Sequence, residues 1–96
     1  MNTANVLCPI TKVAQLLSDT WTMLIMHFLI KGPMRFCELE RSLDGISTRT
    51  LTLKLRKLVD DGLAERTEEG IYRATDKGKG LRLVETAMKR YEEKYL

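Results

Sequence analysis

The sequence predicts a mainly helical, α+β fold, on three observations. Apolar residues recur at helical spacing in successive stretches between residues 9 and 61. The segment LAERTEEGIYRAT, residues 63–75, reads as two short strands joined by a turn. A last amphipathic stretch runs from about residue 76 onward. The third and fourth helices are separated only by the tight connection Asp44-Gly45-Ile46. Two short helices across such a turn, followed by a hairpin, describe a winged helix-turn-helix with a short two-stranded wing.

The elements follow in order. Residues 1–8 read as an N-terminal arm. Pro9 opens the first helix, with Ile10, Val13, Ala14 and Leu17 at helical spacing. Ser18-Asp19-Thr20 interrupts the pattern and offers caps for a second helix, about Trp21 to Ile30. That helix is apolar on most of its surface and is expected to be largely buried. Lys31-Gly32-Pro33 ends it. The third helix covers about Arg35–Leu43, with Phe36, Leu39 and Leu43 on one face. Ser47 caps the fourth, which runs to about Asp61 and stops at Gly62. A two-residue turn at Glu69-Gly70 then pairs Arg66 with Arg73 across the hairpin. Thr75 caps a final helix from about Asp76 to the C-terminus.

Composition narrows the function classes. Ninety-six residues make a single domain, 1–96, with one modest core. The 44% hydrophobic and 30% charged fractions are those of an ordinary soluble globular chain. The longest apolar stretch, Met23–Ile30, is broken by His27 and falls short of the roughly 20 residues a bilayer span needs. No signal peptide is recognisable. Cys8 and Cys37 form no CxxC pair and no disulfide framework, which fits a reducing, cytoplasmic setting. No Ser/His/Asp or paired-carboxylate arrangement points to an enzyme, and nothing calls for a cofactor. His27 has no second histidine or acid at ligand spacing, so it reads as a satisfied core histidine and not as part of a metal site. The Gly78-Lys79-Gly80 run lacks the surrounding frame of a phosphate loop. Lys77, Lys79 and Arg82 read as solvated, the alternative being phosphate contact from the start of the last helix.

The net charge of +3 is spread evenly along the chain, so any basic patch must arise from local arrangement. One does arise. From Ser47 to Lys57 there are four basic residues, Arg49, Lys54, Arg56 and Lys57, and no acid. On a helical wheel Leu51, Leu55 and Leu58 form the core face. Arg49, Thr52, Leu53 and Arg56 lie opposite, with Lys57 at the edge and Lys54 nearer the core boundary. A solvated helix face normally alternates sign at i,i+4. Arg49 also stands in the first turn, where the helix dipole disfavours a cation by about 0.3–1 kcal/mol. A phosphate or a guanine edge offsets that cost, and this favours nucleic acid over plain solvation. Leu53 on the same face fits a thymine methyl group and an ordinary exposed leucine equally well. Asp60 and Asp61 sit at the unfavourable end of the helix dipole. They either pair with Lys57 or keep that end of the helix away from phosphates. In the hairpin, the opposed Arg66 and Arg73 invite an anion between them, unless Glu68 neutralises Arg66.

The last helix carries Leu81, Val84, Met88, Tyr91 and Tyr95 in alternating steps of three and four, an a/d seam. Aromatic residues are favoured at interfaces. The seam reads as a dimerisation surface shared with Ile10, Val13 and Leu17 of the first helix, the alternative being that part of it packs on the chain's own core. Cys8 is either a small buried hydrophobe or a thiol activated by the helix start that follows it. Phe36 and Leu39 beside Cys37 suggest packing and poor access there.

Several segments, in this order, resemble one family. These are Cys8-Pro9 before the first helix, Trp21-Thr22 opening the second, KGPMRFCELERSLDGIS (31–47), RTLTLKLRKLVDDGLAER (49–66) and YRATDKGKGL (72–81). The set resembles the HxlR-type family of bacterial and archaeal transcription regulators and covers nearly the whole chain. The resemblance implies a homodimeric winged helix that binds double-stranded operator DNA with its fourth helix in the major groove. Some regulators of the family sense oxidants or electrophiles through a cysteine at the place of Cys8, so the resemblance admits an oxidant or small-molecule effector without identifying it. The family's wing usually has several more residues, and it commonly has polar residues at the places of Cys37 and Leu53.

The expectation is a sequence-specific DNA-binding regulator that acts as a homodimer. DNA contacts are expected from Ser47, Thr48, Arg49, Thr52, Leu53, Arg56, Lys57, Arg66 and Arg73. Dimer contacts are expected from Ile10, Val13, Leu17, Leu81, Val84, Met88, Tyr91 and Tyr95, and a redox thiol at Cys8. The rival is a winged helix whose basic face binds an acidic protein. A steep loss of duplex affinity with salt, together with preference for one sequence, separates the two.

Overall fold

The computed structural model describes residues 8–17 and 19–96. The expectations for an arm over residues 1–7 and for a cap at Ser18 fall outside them. Helix α1 spans Pro9–Leu17 and α2 spans Thr20–Lys31. Asp19 caps α2 by accepting the Thr22 amide at 2.9 Å. As its composition requires, α2 is the central element: Thr22, Ile25, Met26, Leu29 and Ile30 are all buried. It ends where the Gly32 amide donates to the Phe28 carbonyl.

Pro33 is followed by a two-residue strand, β1, Met34–Arg35, which the sequence reading did not anticipate. Two residues are too few to show period-two alternation. Helix α3, Phe36–Ser42, follows at once, and Glu38 accepts the Arg35 amide at 2.9 Å. Leu39 and Leu43 turn inward. Asp44-Gly45 makes the turn, with Gly45 at φ +87°.

Helix α4 spans Thr48–Asp60. Ser47 Oγ accepts the Thr50 amide at 3.0 Å, as its N-cap position predicts. Leu51, Leu55 and Leu58 are fully buried. The helix stops in a Schellman motif. Gly62 takes φ +76°, the Leu63 amide donates to the Leu58 carbonyl, and the Gly62 amide donates to that of Val59. Leu58 and Leu63, the two residues the motif brings together, are both in the core.

Strands β2 (Ala64–Arg66) and β3 (Ile71–Ala74) form the hairpin, and β1 adds to β3, giving the antiparallel order β1-β3-β2. This is a winged helix-turn-helix with a third, very short strand. The register corrects the sequence reading. Glu65 faces Arg73, and Arg66 faces Tyr72. The turn is Glu68-Glu69-Gly70, closed by the Thr67 amide donating to the Ile71 carbonyl at 2.8 Å. Gly70 at φ +81° supplies the left-handed residue of a three-residue loop. The added loop residue shifts every pairing by one.

The expected last helix is two. Thr75 Oγ1 accepts the Gly78 amide and caps α5, Asp76–Lys79; after Gly80-Leu81, α6 runs Arg82–Tyr95. The break lets Gly78 press on the backbone of Leu63 while Leu81 drops into the core. No single helix among the described residues is long and apolar enough to cross a membrane.

Candidate nucleic-acid interface

The outward face of α4 is the functional candidate, and the structure sorts its four cations into two kinds. Lys54 bonds the carboxylate of Asp19, the cap of α2. Burial raises the pKa of Asp19, but the Lys54 ammonium and the Thr22 amide outweigh it and hold the carboxyl below its usual range. Lys57 pairs with Asp61 at 2.9 Å, one turn on. Lys54 and Lys57 are therefore not unpaired, which corrects the sequence reading. The same bond accounts for Asp61 at the negative end of the helix. Arg49 and Arg56 have no ion pair among the described residues, and both are exposed.

The first turn of α4 is well ordered. Ser47 Oγ also donates to Thr50 Oγ1, and Thr48 Oγ1 donates to Glu40 of α3. Thr52 Oγ1 donates to the Thr48 carbonyl. The Thr48–Glu40 bond ties the start of α4 to α3. Thr52 and Leu53 are exposed beside it.

The hairpin meets the same face. Thr52, Arg56, Asp60, Arg66 and Tyr72 line one groove of about 230 Å3 between α4 and the sheet. Arg66 so joins Arg56, as expected of a wing residue. Arg73 does not. Its Nε donates to Glu65 at 2.5 Å, so the anion-seeking arginine pair of the sequence reading is absent.

Three cations that the sequence left as solvated or unassigned hold backbone carbonyls. Lys77 Nζ donates to the Asp61 carbonyl at 2.7 Å and closes the end of α4. The Arg82 guanidinium donates to the Ile30 carbonyl at 3.4 Å. Arg35 donates to the Glu69 carbonyl at 2.9 Å and ties β1 to the tip of the hairpin. No sequence signal marks Arg35, because its partner is 34 positions away.

Two helices keep much of their apolar surface uncovered, although Leu16 and Leu17 of α1 pack partly against the core. Neither α1 nor α6 buries any residue. Pro9, Ile10, Val13, Ala14 and Leu17 line a shallow apolar groove of about 420 Å3. On α6, Met88, Tyr91 and Tyr95 are exposed, and the two tyrosine rings lie 5.0 Å apart. Leu81, by contrast, is only 6% exposed and belongs to the chain's own core. Val84 is half-buried and packs against that core. The free seam accordingly begins beyond Leu81, because the helix break at Gly80 turns that residue inward.

His27 is half-buried, not a core residue. Its Nδ1 lies 2.8 Å from Glu85 of α6, a partner 58 positions away. No group of three or more potential metal ligands occurs among the described residues. Cys8 stands half-buried just before α1, and amides of Thr11 and Ile10 with the Thr11 hydroxyl lower its thiol pKa. Cys37 is exposed, which corrects the expectation of a packed thiol. Leu39, not Cys37, is the α3 residue that points fully inward.

Known proteins share this architecture. An HTH-type transcriptional regulator of Synechocystis is 43% identical over 60 residues, covering 62% of this chain and 44% of that protein. The HTH-type transcriptional regulator YodB of Bacillus subtilis is 32% identical over 95% of this chain and 88% of its own length. The crystal structure of quinone-bound YodB superposes with a TM-score of 0.85 at 32% identity, covering 92% of this chain and 99% of that one. The redox regulator HypR in its reduced form gives 0.80 at 28% identity, over 91% and 92% of the two chains. The family model of HxlR-like helix-turn-helix proteins matches residues 16–96, and the chain belongs to that family of transcriptional regulators.

Proposed function

We propose that this protein is a homodimeric, sequence-specific DNA-binding regulator of the cytoplasm, a single domain whose α4 enters the major groove of an operator. The observation that carries the reading is the pair Arg49 and Arg56. They are exposed on a helix whose other two cations, Lys54 and Lys57, are ion-paired, and Arg66 of the hairpin lines a groove with Arg56. An arginine at the start of a recognition helix meets base edges or phosphates once that helix lies in the groove. Ser47, Thr48, Thr52 and Lys57 flank it as further contacts; Arg73, neutralised by Glu65, is left out.

The dimer follows from α1 and α6. Two amphipathic helices with no buried residue need a partner. We assign Ile10, Val13, Leu17, Val84, Met88, Tyr91 and Tyr95 to that contact. The deciding experiment is selection of bound sites from random duplex DNA. A two-fold symmetric site is expected, its half-sites about 10 bp apart or a multiple of that, with affinity that falls steeply with salt. Met88→Asp is expected to sediment as a monomer and to lose the symmetric preference. Absence of any preferred sequence overturns the reading in favour of a protein partner.

Regulation is placed at Cys8. Its lowered pKa raises the thiolate fraction, the form that attacks oxidants and electrophiles. The quinone-bound and diamide-treated states of YodB and the oxidised state of HypR support a thiol-reactive effector of that kind. Modification would change the packing of α1 and so the spacing of two recognition helices. Mild oxidant is expected to alter operator binding of the wild type and Cys37→Ser, but not of Cys8→Ser. A response lost only in Cys37→Ser moves the sensor to that exposed thiol.

A further inference from the structure

Leu53 stands at the outermost point of α4. At about 100° per residue it lies opposite the buried Leu51, Leu55 and Leu58, and it is 50% exposed. Its neighbours on the same face, at i−4, i−3, i+3 and i+4, are Arg49, Thr50, Arg56 and Lys57. Two of the three cations there have no ion pair among the described residues. A lone exposed leucine is common and by itself says nothing. The position is what matters. A side chain at the apex of the helix, ringed by arginines that reach for phosphates or bases, is the one that meets the floor of the groove.

The chemistry of that floor is limited. Each base pair shows hydrogen-bond donors and acceptors in the major groove, and the C5-methyl of thymine is the apolar feature. Leucine has no polar atom with which to read guanine, adenine or cytosine. Placed over their edges, it would exclude water and leave those groups unbonded, at a cost in affinity. Placed over a thymine methyl it buries apolar surface on both sides.

We propose that Leu53 is a specificity-determining residue that packs on the C5-methyl of one thymine in each half-site. The proposal rests on the DNA-binding reading above. Its ligand is a C5-methylated pyrimidine, and its energy is dispersion and burial, so its contribution should not depend on salt, unlike the arginine contacts around it.

The experiment is a uracil scan of the tightest duplex selected from a randomised library. Each thymine is replaced in turn by uracil, which removes the methyl group and leaves the base pairing intact. For the wild type, one symmetric position is expected to lose about fourfold in affinity per half-site, the worth of one buried methyl group, and so about fifteenfold when both half-sites are changed. In Leu53→Ala the same replacement is expected to cost less than twofold, with circular dichroism unchanged. The wild-type loss should keep its size between low and high salt. A flat scan in the wild type, or a uracil penalty that persists in Leu53→Ala, overturns the proposal while leaving selective DNA binding intact. Failure to select any preferred duplex would instead overturn the regulator reading on which it rests.

Discussion

Arg49→Ala and Arg56→Ala, combined in one chain, are expected to abolish preference for the selected operator over random duplex while leaving the fold intact. In the proposed dimer each arginine would occur once per half-site and so twice per complex. A good bidentate contact to a base is worth about 1–3 kcal/mol, so either single substitution, lost twice over, should cost from tens to roughly tens of thousands of times in specific affinity. The fold is expected to survive because both side chains are exposed and hold no ion pair among the described residues. Arg49 sits in the first turn of α4, where the helix dipole disfavours it, so its removal should leave stability level or raise it slightly. Lys54→Ala is the informative contrast. Its ammonium holds Asp19, the cap of α2, and its removal should lower stability without changing sequence preference. Gel shifts at fixed salt and a denaturation curve for each variant separate the two kinds of residue. Unchanged preference in both arginine variants would show that α4 is not the reading face.

That contrast also marks how far the sequence was legible. The local signals held: Ser47 and Thr75 as caps, Gly62 as a stop, and the leucine face of α4 all depend on neighbours within a few positions. Long-range pairings were not readable. Lys54 finds Asp19 at 35 positions, His27 finds Glu85 at 58, and Arg35 finds the hairpin tip at 34. Charge order along the chain carries no information about such partners. The wing failed for a different reason. A three-residue and a two-residue loop have nearly the same composition, yet they exchange every cross-strand pair, so Arg73 meets Glu65 instead of Arg66. The a/d seam of the last helix was real in pattern but spanned a helix break. Its first member, Leu81, therefore serves the core.

Gly78→Ala is expected to be the most destabilising of the glycine-to-alanine substitutions, against the direction of helix propensity. Alanine in a helix is ordinarily favoured over glycine by about 1 kcal/mol. Here a Cβ would lie 2.0 Å from the carbonyl oxygen and 3.0 Å from the carbonyl carbon of Leu63, and 2.7 Å from Met26 Cε. The methionine can move aside, but the backbone cannot. Leu63 is pinned by its own amide to the Leu58 carbonyl, and its carbonyl accepts the Thr75 amide at 3.1 Å. Thr75 Oγ1 in turn donates to the Gly62 carbonyl. Relief therefore means lifting α5 off the start of β2, breaking those bonds and drawing Leu81 out of the core. Overpacking costs about 1–3 kcal/mol where side chains can adjust, so a rigid backbone contact should reach the upper end of that range or exceed it. For a domain of this size that corresponds to roughly 10–20 °C in Tm. Gly80→Ala supplies the control: its Cβ would meet the Lys77 carbonyl at 3.2 Å, and its φ of −59° suits any residue. It should stay within about 1 kcal/mol of the wild type. Urea titration of both variants gives the answer, as a lowered midpoint at unchanged slope for Gly78→Ala. A Gly78→Ala protein as stable as the wild type would mean that α5 is not seated on Leu63.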